Sequence, residues 1–247
     1  MTDRSLIGRT VVVTGAGGGL GRAMTYALAG AGATVVAVDI DRRALTETAT
    51  GRPAGTVVES AEADLTDERR VDGLAEELND RFGGVDVLFA NAGISLVKPS
   101  LDLTNDELSR VFAVNVLATF ATVRAFGRHM LAGRGGKLVL TTSTLGSRGT
   151  ARWTAYCASK AAVTSMTQSL AAEWGPTVTV NAIAPGAVRT NINAHLFDAE
   201  FTARLEESSA AGRLVVPDDL GPLAVFLAGP GSDMISGQVI AIDGGRK

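Results

Sequence analysis

Residues 10–30, TVVVTGAGGGLGRAMTYALAG, decide the fold. Thr10–Thr14 is an unbroken β-branched run, as expected of a strand buried on both faces. Five glycines follow within residues 15–21, and the chain then turns to the Ala- and Leu-rich composition of a helix. Glycines at such a junction permit a tight turn and close approach of the backbone to a ligand. The helix N-terminus adds free N–H groups and a partial positive charge, a combination suited to a pyrophosphate.

Working outward, the same alternation repeats. Thr34–Val38, Thr56–Val58, Val85–Ala90, Lys137–Thr142, Thr177–Ile183 and Gln238–Ile242 read as further strands. Helices are expected near 19–31, 41–49, 67–82, 104–132, 153–174 and 217–228, with Gly32 and Gly83–Gly84 as C-terminal stops. Asp102–Glu107 (DLTNDE) supplies capping residues ahead of the apolar run 111–123. Strict β–α alternation predicts an α/β fold: a doubly wound parallel sheet (Rossmann fold) of about seven strands, with helices on both faces and right-handed crossovers. The 247 residues contain no linker or repeat and are expected to form one domain. Residues 190–212 break the alternation and are expected to be a mobile helical insert on the substrate side.

Composition narrows the chemistry. The chain holds one Cys (Cys157), two His (His129, His195) and two Tyr (Tyr26, Tyr156), so an internal disulfide is impossible and a metal site is not expected. With 23 Lys+Arg against 26 Asp+Glu and no basic run, nucleic acid is not an expected partner. The longest uncharged run, Ala23–Val38, is too short and glycine-broken for a membrane span, and the first residues carry no apolar signal segment. A cytoplasmic protein is expected. Cys157 reads as packing, Tyr26 as helix core, His129 as a helix C-terminal charge and His195 as a surface or lid residue.

Asp39, ending the second strand, is placed to accept hydrogen bonds from an adenosine ribose 2′-hydroxyl, with a helix N-cap as its alternative role. A 2′-phosphate would meet a like charge there. Arg42 and Arg43 lie near enough to offset this, but Ile40 follows Asp39 and position 18 is glycine, so NAD is expected over NADP. Tyr156 and Lys160 stand one helical turn apart and share a face. An ammonium near a phenol lowers its pKa from about 10 and fits it to exchange a proton with an alcohol or ketone. Ser143, at the end of the 137–142 strand, brings a hydroxyl to the sheet edge where open α/β folds bind ligands.

Over essentially its whole length the sequence resembles the short-chain dehydrogenase/reductase family. Thr14, Gly15, Gly19 and Gly21 match the family's T-G-x-x-x-G-x-G motif, Asp64 its adenine-contacting acid, and Asn91-Ala92-Gly93 its N-A-G turn, although Ala90 stands where many members carry Asn. Asn115 matches its helix Asn, Ser143, Tyr156 and Lys160 its catalytic set, Pro185-Gly186 its P-G turn, and Ser236-Gly-Gln with Asp243-Gly-Gly its C-terminal pattern. The resemblance implies that Tyr156 is the general acid/base, that Lys160 lowers its pKa and holds the nicotinamide ribose, that Ser143 orients the substrate oxygen, and that Asn115 holds a relay water. Gly15, Gly18, Gly19, Leu20, Gly21, Asp39, Ile40, Asp64, Leu65, Asn91, Ala92, Gly93, Pro185, Gly186, Val188 and Thr190, with Tyr156 and Lys160, are then the expected cofactor contacts.

The substrate pocket is expected from Ser95, Leu96, Thr144, Leu145, Trp153, Ala187, Leu196, Phe197 and Phe201, largely apolar and suited to a medium-sized secondary alcohol or ketone. Arg148 and Arg152 read as solvated surface, with an acidic group as their alternative partner. An NAD-linked 3-oxoacyl thioester reductase and a non-catalytic dinucleotide sensor are the other functions weighed. The resemblance further implies a homotetramer (or homodimer) built on the 104–132 and 153–174 helices and the last strand.

Overall fold

The computed structural model describes residues 4–190 and 197–245. Seven parallel strands form one sheet in the order β3-β2-β1-β4-β5-β6-β7: β1 (Thr10–Thr14), β2 (Thr34–Asp39), β3 (Val57–Glu62), β4 (Val87–Ala90), β5 (Gly136–Thr141), β6 (Val178–Pro185) and β7 (Val239–Ile242). The order reverses between β1 and β4, which places the ligand crevice above their C-terminal ends.

Side-chain alternation sorts each central strand between two cores. Val11, Val13, Val35, Ala37, Phe89, Val139 and Ile183 face one layer, made by α1 (Gly19–Gly30), α8 (Leu220–Ala228) and Leu45 of α2 (Arg42–Thr50). Val12, Val36, Val38, Leu88, Leu138, Leu140, Val180 and Ala182 face the other, where α3 (Glu68–Phe82), α5 (Thr119–Ala132) and α6 (Thr154–Trp174) pack. Both faces being covered explains why the central strands read as continuous apolar runs.

Two elements differ from expectation for physical reasons. β3 runs to Glu62, beyond the expected 56–58, because as an edge strand it alternates buried and exposed positions instead of staying apolar. The 104–132 helix begins as α4 (Asn105–Phe112), passes through a π-helical segment, Ala113–Ala118, and resumes as α5. Its start carries the expected capping residues, Thr104 and Glu107 forming a reciprocal capping box. Residues 105–132 are also long and apolar enough to cross a membrane, but Val111, Val123, Phe126 and Met130 are buried in this protein's core. The insert contains α7 (Ala199–Ser208), capped by Asp198, whereas His195 and Leu196 lie outside the described residues.

Candidate active site

The glycine turn is built from steric necessity. Gly15 has φ +64°, and a Cβ there would lie 2.9 Å from Ala92 Cα; a Cβ on Gly21 would lie 2.1 Å from the Gly15 carbonyl oxygen. Only glycine lets α1 start this close to β1. From behind, Arg22 donates to the Gly17 carbonyl and to Thr48 Oγ1 (2.9 Å), and Thr48 Oγ1 donates to the Ala16 carbonyl (2.9 Å). The front is left open: Gly18 caps α1 with no side-chain hydrogen bond, and a Cβ on it would meet nothing within 4 Å. An uncapped helix N-terminus behind an open glycine backbone fits the diphosphate of a dinucleotide. Leu20 is half-buried beside it, and Thr190 arches over the turn, its Cγ2 3.3 Å from where a Gly19 Cβ would sit.

Asp39 is not the cap of α2. Asp41 performs that role, accepting from Ala44 N at 3.1 Å, while Asp39 accepts from Gly17 N (2.9 Å) and Asp41 N (3.1 Å). Its carboxylate therefore stands against the glycine turn, where an adenosine ribose would lie. Ile40 beside it is exposed. Arg42 pairs with Glu62 at 2.5 Å and Arg43 with Glu47 at 3.3 Å, so both arginines have carboxylate partners away from Asp39. Asp64 is exposed and accepts from Thr66 N (2.9 Å) and Thr66 Oγ1 (2.7 Å), bonds that lower its pKa; Leu65 next to it is half-buried.

At the switch point Asn91 stitches strands together. Its Nδ2 donates to the Thr14 carbonyl (3.0 Å) and its Oδ1 accepts from Thr141 Oγ1 (3.2 Å), while Thr14 Oγ1 accepts from Asn91 N and Ala92 N. With those atoms engaged, Asn91 shapes the crevice and Ala92 and Gly93 supply backbone to it. A Cβ on Gly93 would lie 3.1 Å from Asn115 Oδ1 and 3.5 Å from Lys160 Nζ.

Ser143, Tyr156, Lys160 and Asn115 lie close together at the C-terminal edge of the sheet. Ser143 is buried; its Oγ accepts from Leu145 N (3.1 Å) and its side chain hydrogen-bonds the Tyr156 phenol. It is thus both the cap of the short turn Thr144–Gly146 and a neighbour of the phenol. Lys160 is buried and donates from Nζ to the Thr141 carbonyl at 2.8 Å. Burial pushes the Tyr156 phenol up, the Ser143 hydrogen bond pulling against it, and burial brings the Lys160 amine down to about 8. The Lys160 Nζ lies 5.8 Å from the Tyr156 ring centroid and is aimed at the Thr141 carbonyl.

Asn115 is fully buried and its polar atoms are satisfied. Oδ1 accepts from Ile94 N (2.8 Å), and Nδ2 donates to the Ile94 carbonyl (2.9 Å) and to Ser159 Oγ (3.0 Å). Ser159 Oγ donates in turn to the Tyr156 carbonyl (2.8 Å). Ser159, Thr141 and Thr142 were not singled out from sequence. Thr142 Oγ1 donates to the Lys160 carbonyl (2.7 Å) and faces Thr164 Oγ1 (2.9 Å), binding the end of β5 to α6. The only available signal was small hydroxyl residues inside otherwise apolar segments.

On the substrate side, Trp153 packs edge-on against Tyr156, ring centroids 5.4 Å apart. Arg152, which precedes it, is the one non-glycine residue with positive φ (+71°) among those described; its carbonyl accepts from Lys98 N at 2.8 Å. Lys98 Nζ grips both oxygens of Glu107 (2.8 Å each), and this ammonium together with the Thr104 N–H holds the Glu107 carboxyl down at about 2. Ser95, Thr144, Leu145 and Ala187 are half-buried. Pro185 ends β6, Gly186 N donates to the Ile242 carbonyl (2.8 Å), and Val188 bridges Val215. Phe197 and Phe201 pair edge-to-face at 5.6 Å. Cys157 is half-buried, as is Tyr26, whose hydroxyl abuts Gly51 at the end of α2.

Comparison with known proteins agrees with this geometry. A family model described as enoyl-(acyl carrier protein) reductase matches residues 15–247. Galactitol 2-dehydrogenase of Agrobacterium fabrum is 38% identical over 96% of this chain and 97% of its own length. An NAD-dependent glycerol dehydrogenase of Listeria innocua is 31% identical over 98% of this chain and 95% of its own. The crystal structure of a gluconate 5-dehydrogenase from Burkholderia cenocepacia, in complex with NADP and tartrate, superposes with a TM-score of 0.93 at 32% identity, covering 99% of this chain and 97% of that one.

Proposed function

The chain belongs to the short-chain dehydrogenase/reductase family, whose oxidoreductases use a nicotinamide dinucleotide, and from that premise we propose that it interconverts a secondary alcohol and a ketone with NAD. The observation that carries this reading is the convergence of Ser143, Tyr156 and Lys160 beside an open glycine cradle. The relatives' alcohol and polyol dehydrogenase names support the substrate class.

The bound nicotinamide supplies the acceptor for the hydride that leaves the carbinol carbon. Ser143 Oγ orients the substrate oxygen and hydrogen-bonds it as its charge changes. Tyr156 Oη takes the hydroxyl proton during oxidation and returns it during reduction. Asn115, through Ser159, fixes the turn of α6 that carries Tyr156. Because burial raises the phenol pKa, the base form needed for oxidation gains as pH rises above neutrality, while reduction is favoured at lower pH. In an alcohol panel followed at the NADH absorbance, Tyr156→Phe is expected to lower kcat about 10³-fold, with NADH binding within threefold. Substantial residual turnover in the variant would refute Tyr156 as the proton carrier.

NAD is favoured because the Asp39 carboxylate stands against the glycine turn, where it would repel a 2′-phosphate, and Arg42 and Arg43 are engaged with Glu62 and Glu47. Comparable kcat/KM with NADP would overturn this. The protein works in the cytoplasm as a homotetramer. Leu117 and Phe120 on the long helix and Phe226 and Met234 toward the C-terminus are exposed apolar side chains, which supports self-association. Light scattering at the mass of four chains is the expected result.

A further inference from the structure

Tyr156 is the third residue of α6 and so sits in the helix's first turn. The first N–H groups of a helix have no partner within it, and that turn frays unless something outside the helix holds it. No side chain caps α6: Trp153, at the N-cap position, makes no capping hydrogen bond. The turn is tied down by the chain before it, Trp153 N donating to the Thr150 carbonyl at 3.1 Å.

Between those two residues stands Arg152, at φ +71° with its side chain exposed. An L residue avoids this left-handed backbone, and such an outlier persists only where its surroundings impose it. Here the Lys98 N–H donates to the Arg152 carbonyl at 2.8 Å. Lys98 is itself fastened, its Nζ held at 2.8 Å by both oxygens of Glu107, which belongs to the capping box of α4. Four residues earlier, Ile94 is bonded through its N–H and its carbonyl to Asn115. Segment 94–98 is therefore anchored at both ends and offers Arg152 a fixed donor.

Immediately after Arg152, Trp153 meets the Tyr156 ring edge-on, with centroids 5.4 Å apart. Residues three apart at a helix start are neighbours on one face. Tyr156 is then held at its ring by Trp153 and at its hydroxyl by Ser143. A misplacement of about 1 Å at a reacting group can lower turnover about 100-fold. We propose that Arg152, kept left-handed by Lys98, is a positioning residue: it sets Trp153 against Tyr156 and so holds the phenol opposite Ser143. The inference rests on the alcohol/ketone reading above and adds a residue to it.

The decisive pair is Arg152→Val, whose β-branched side chain disfavours φ > 0, and Arg152→Gly, which adopts it freely. With NAD and the best alcohol of the panel, Arg152→Val is expected to lower kcat at least 10-fold with KM for NAD within twofold. Arg152→Gly is expected to keep kcat within twofold. A second readout needs no turnover. The chain has two tryptophans, Trp153 and Trp174, so subtracting the emission of Trp153→Phe isolates Trp153. Its quenching by acrylamide is expected to rise at least twofold in Arg152→Val and to stay unchanged in Arg152→Gly.

Unchanged kcat in Arg152→Val, equal losses in both variants, or lost kcat without a change in quenching overturns the proposal and leaves the oxidoreductase reading intact. If no alcohol is oxidised, that reading falls, and quenching alone decides whether Arg152 sets Trp153. Should Arg152→Val fail to fold, Lys98→Met keeps the backbone N–H but unfastens it from Glu107. It is expected to lower kcat and raise quenching about threefold, and no movement in either overturns the proposal.

Discussion

The two walls of the crevice are made on different principles. The cofactor wall, residues 10–43, is one contiguous stretch in which backbone sterics leave little choice: Gly15 and Gly21 touch their neighbours where a side chain would be. The opposite wall draws on Lys98, Trp153, Tyr156 and Ala187, from separate segments, and is set in part by side-chain pairing, Trp153 against Tyr156 and Lys98 against Glu107. A wall fixed by backbone permits few residues. A wall fixed by side chains admits many, and there a shared scaffold can change substrates.

Four substitutions test that contrast. Gly21→Ala forces a methyl to 2.1 Å from the Gly15 carbonyl oxygen and is expected to have the largest effect. Overpacking of this kind costs about 3 kcal/mol, seen as a Tm lowered by about 10 °C and NADH affinity reduced more than 100-fold. Unchanged Tm and affinity would mean that the cradle is not rigid.

Lys160, between the walls, comes next. Its folded pKa, about 8, lies below its ordinary 10.5, so between those values the unfolded chain binds the extra proton and stability rises with pH. The gap is worth about 3 kcal/mol at most. Denaturant unfolding at pH 7.5 and 10.5 should show this rise in the wild type, and Lys160→Met should lack it. Asp39→Asn follows. It keeps an acceptor for Gly17 N but removes the charge, and is expected to shift the NADP-to-NAD ratio of kcat/KM about 10-fold toward NADP.

The smallest effect belongs to the substrate wall. Arg152→Gly relieves the left-handed backbone at φ +71°, worth about 1 kcal/mol, and should raise Tm by about 3 °C. A drop in Tm would show that the side chain, not the backbone, is the important contribution there.

The same contrast explains what could be read in advance. The sheet, its central strands and the glycine cradle were legible because buried parallel strands and φ > 0 turns constrain residue type directly. Edge strand β3 was shortened because its polar positions, Glu59 and Glu62, break an apolar run without breaking a strand. Asp39 reads as the ribose acid with a helix cap as its alternative role, and the cap is Asp41, an acid two residues on that the same pattern admits. Tyr156 and Lys160 were placed by spacing, but their protonation depends on burial and on the Thr141 carbonyl, which helical spacing does not specify.

Asn115 lies in the π-helical segment Ala113–Ala118, between two regular stretches of helix. A π turn carries one residue more than an α-helix needs. In mutational terms this segment is an insertion retained inside an element that otherwise tolerates none. Removing a single residue from 113–118 would let the helix close into regular α geometry. It would also rotate Asn115 away from Ile94 and Ser159, so the bracing of Tyr156 would be lost in the same step that regularised the helix.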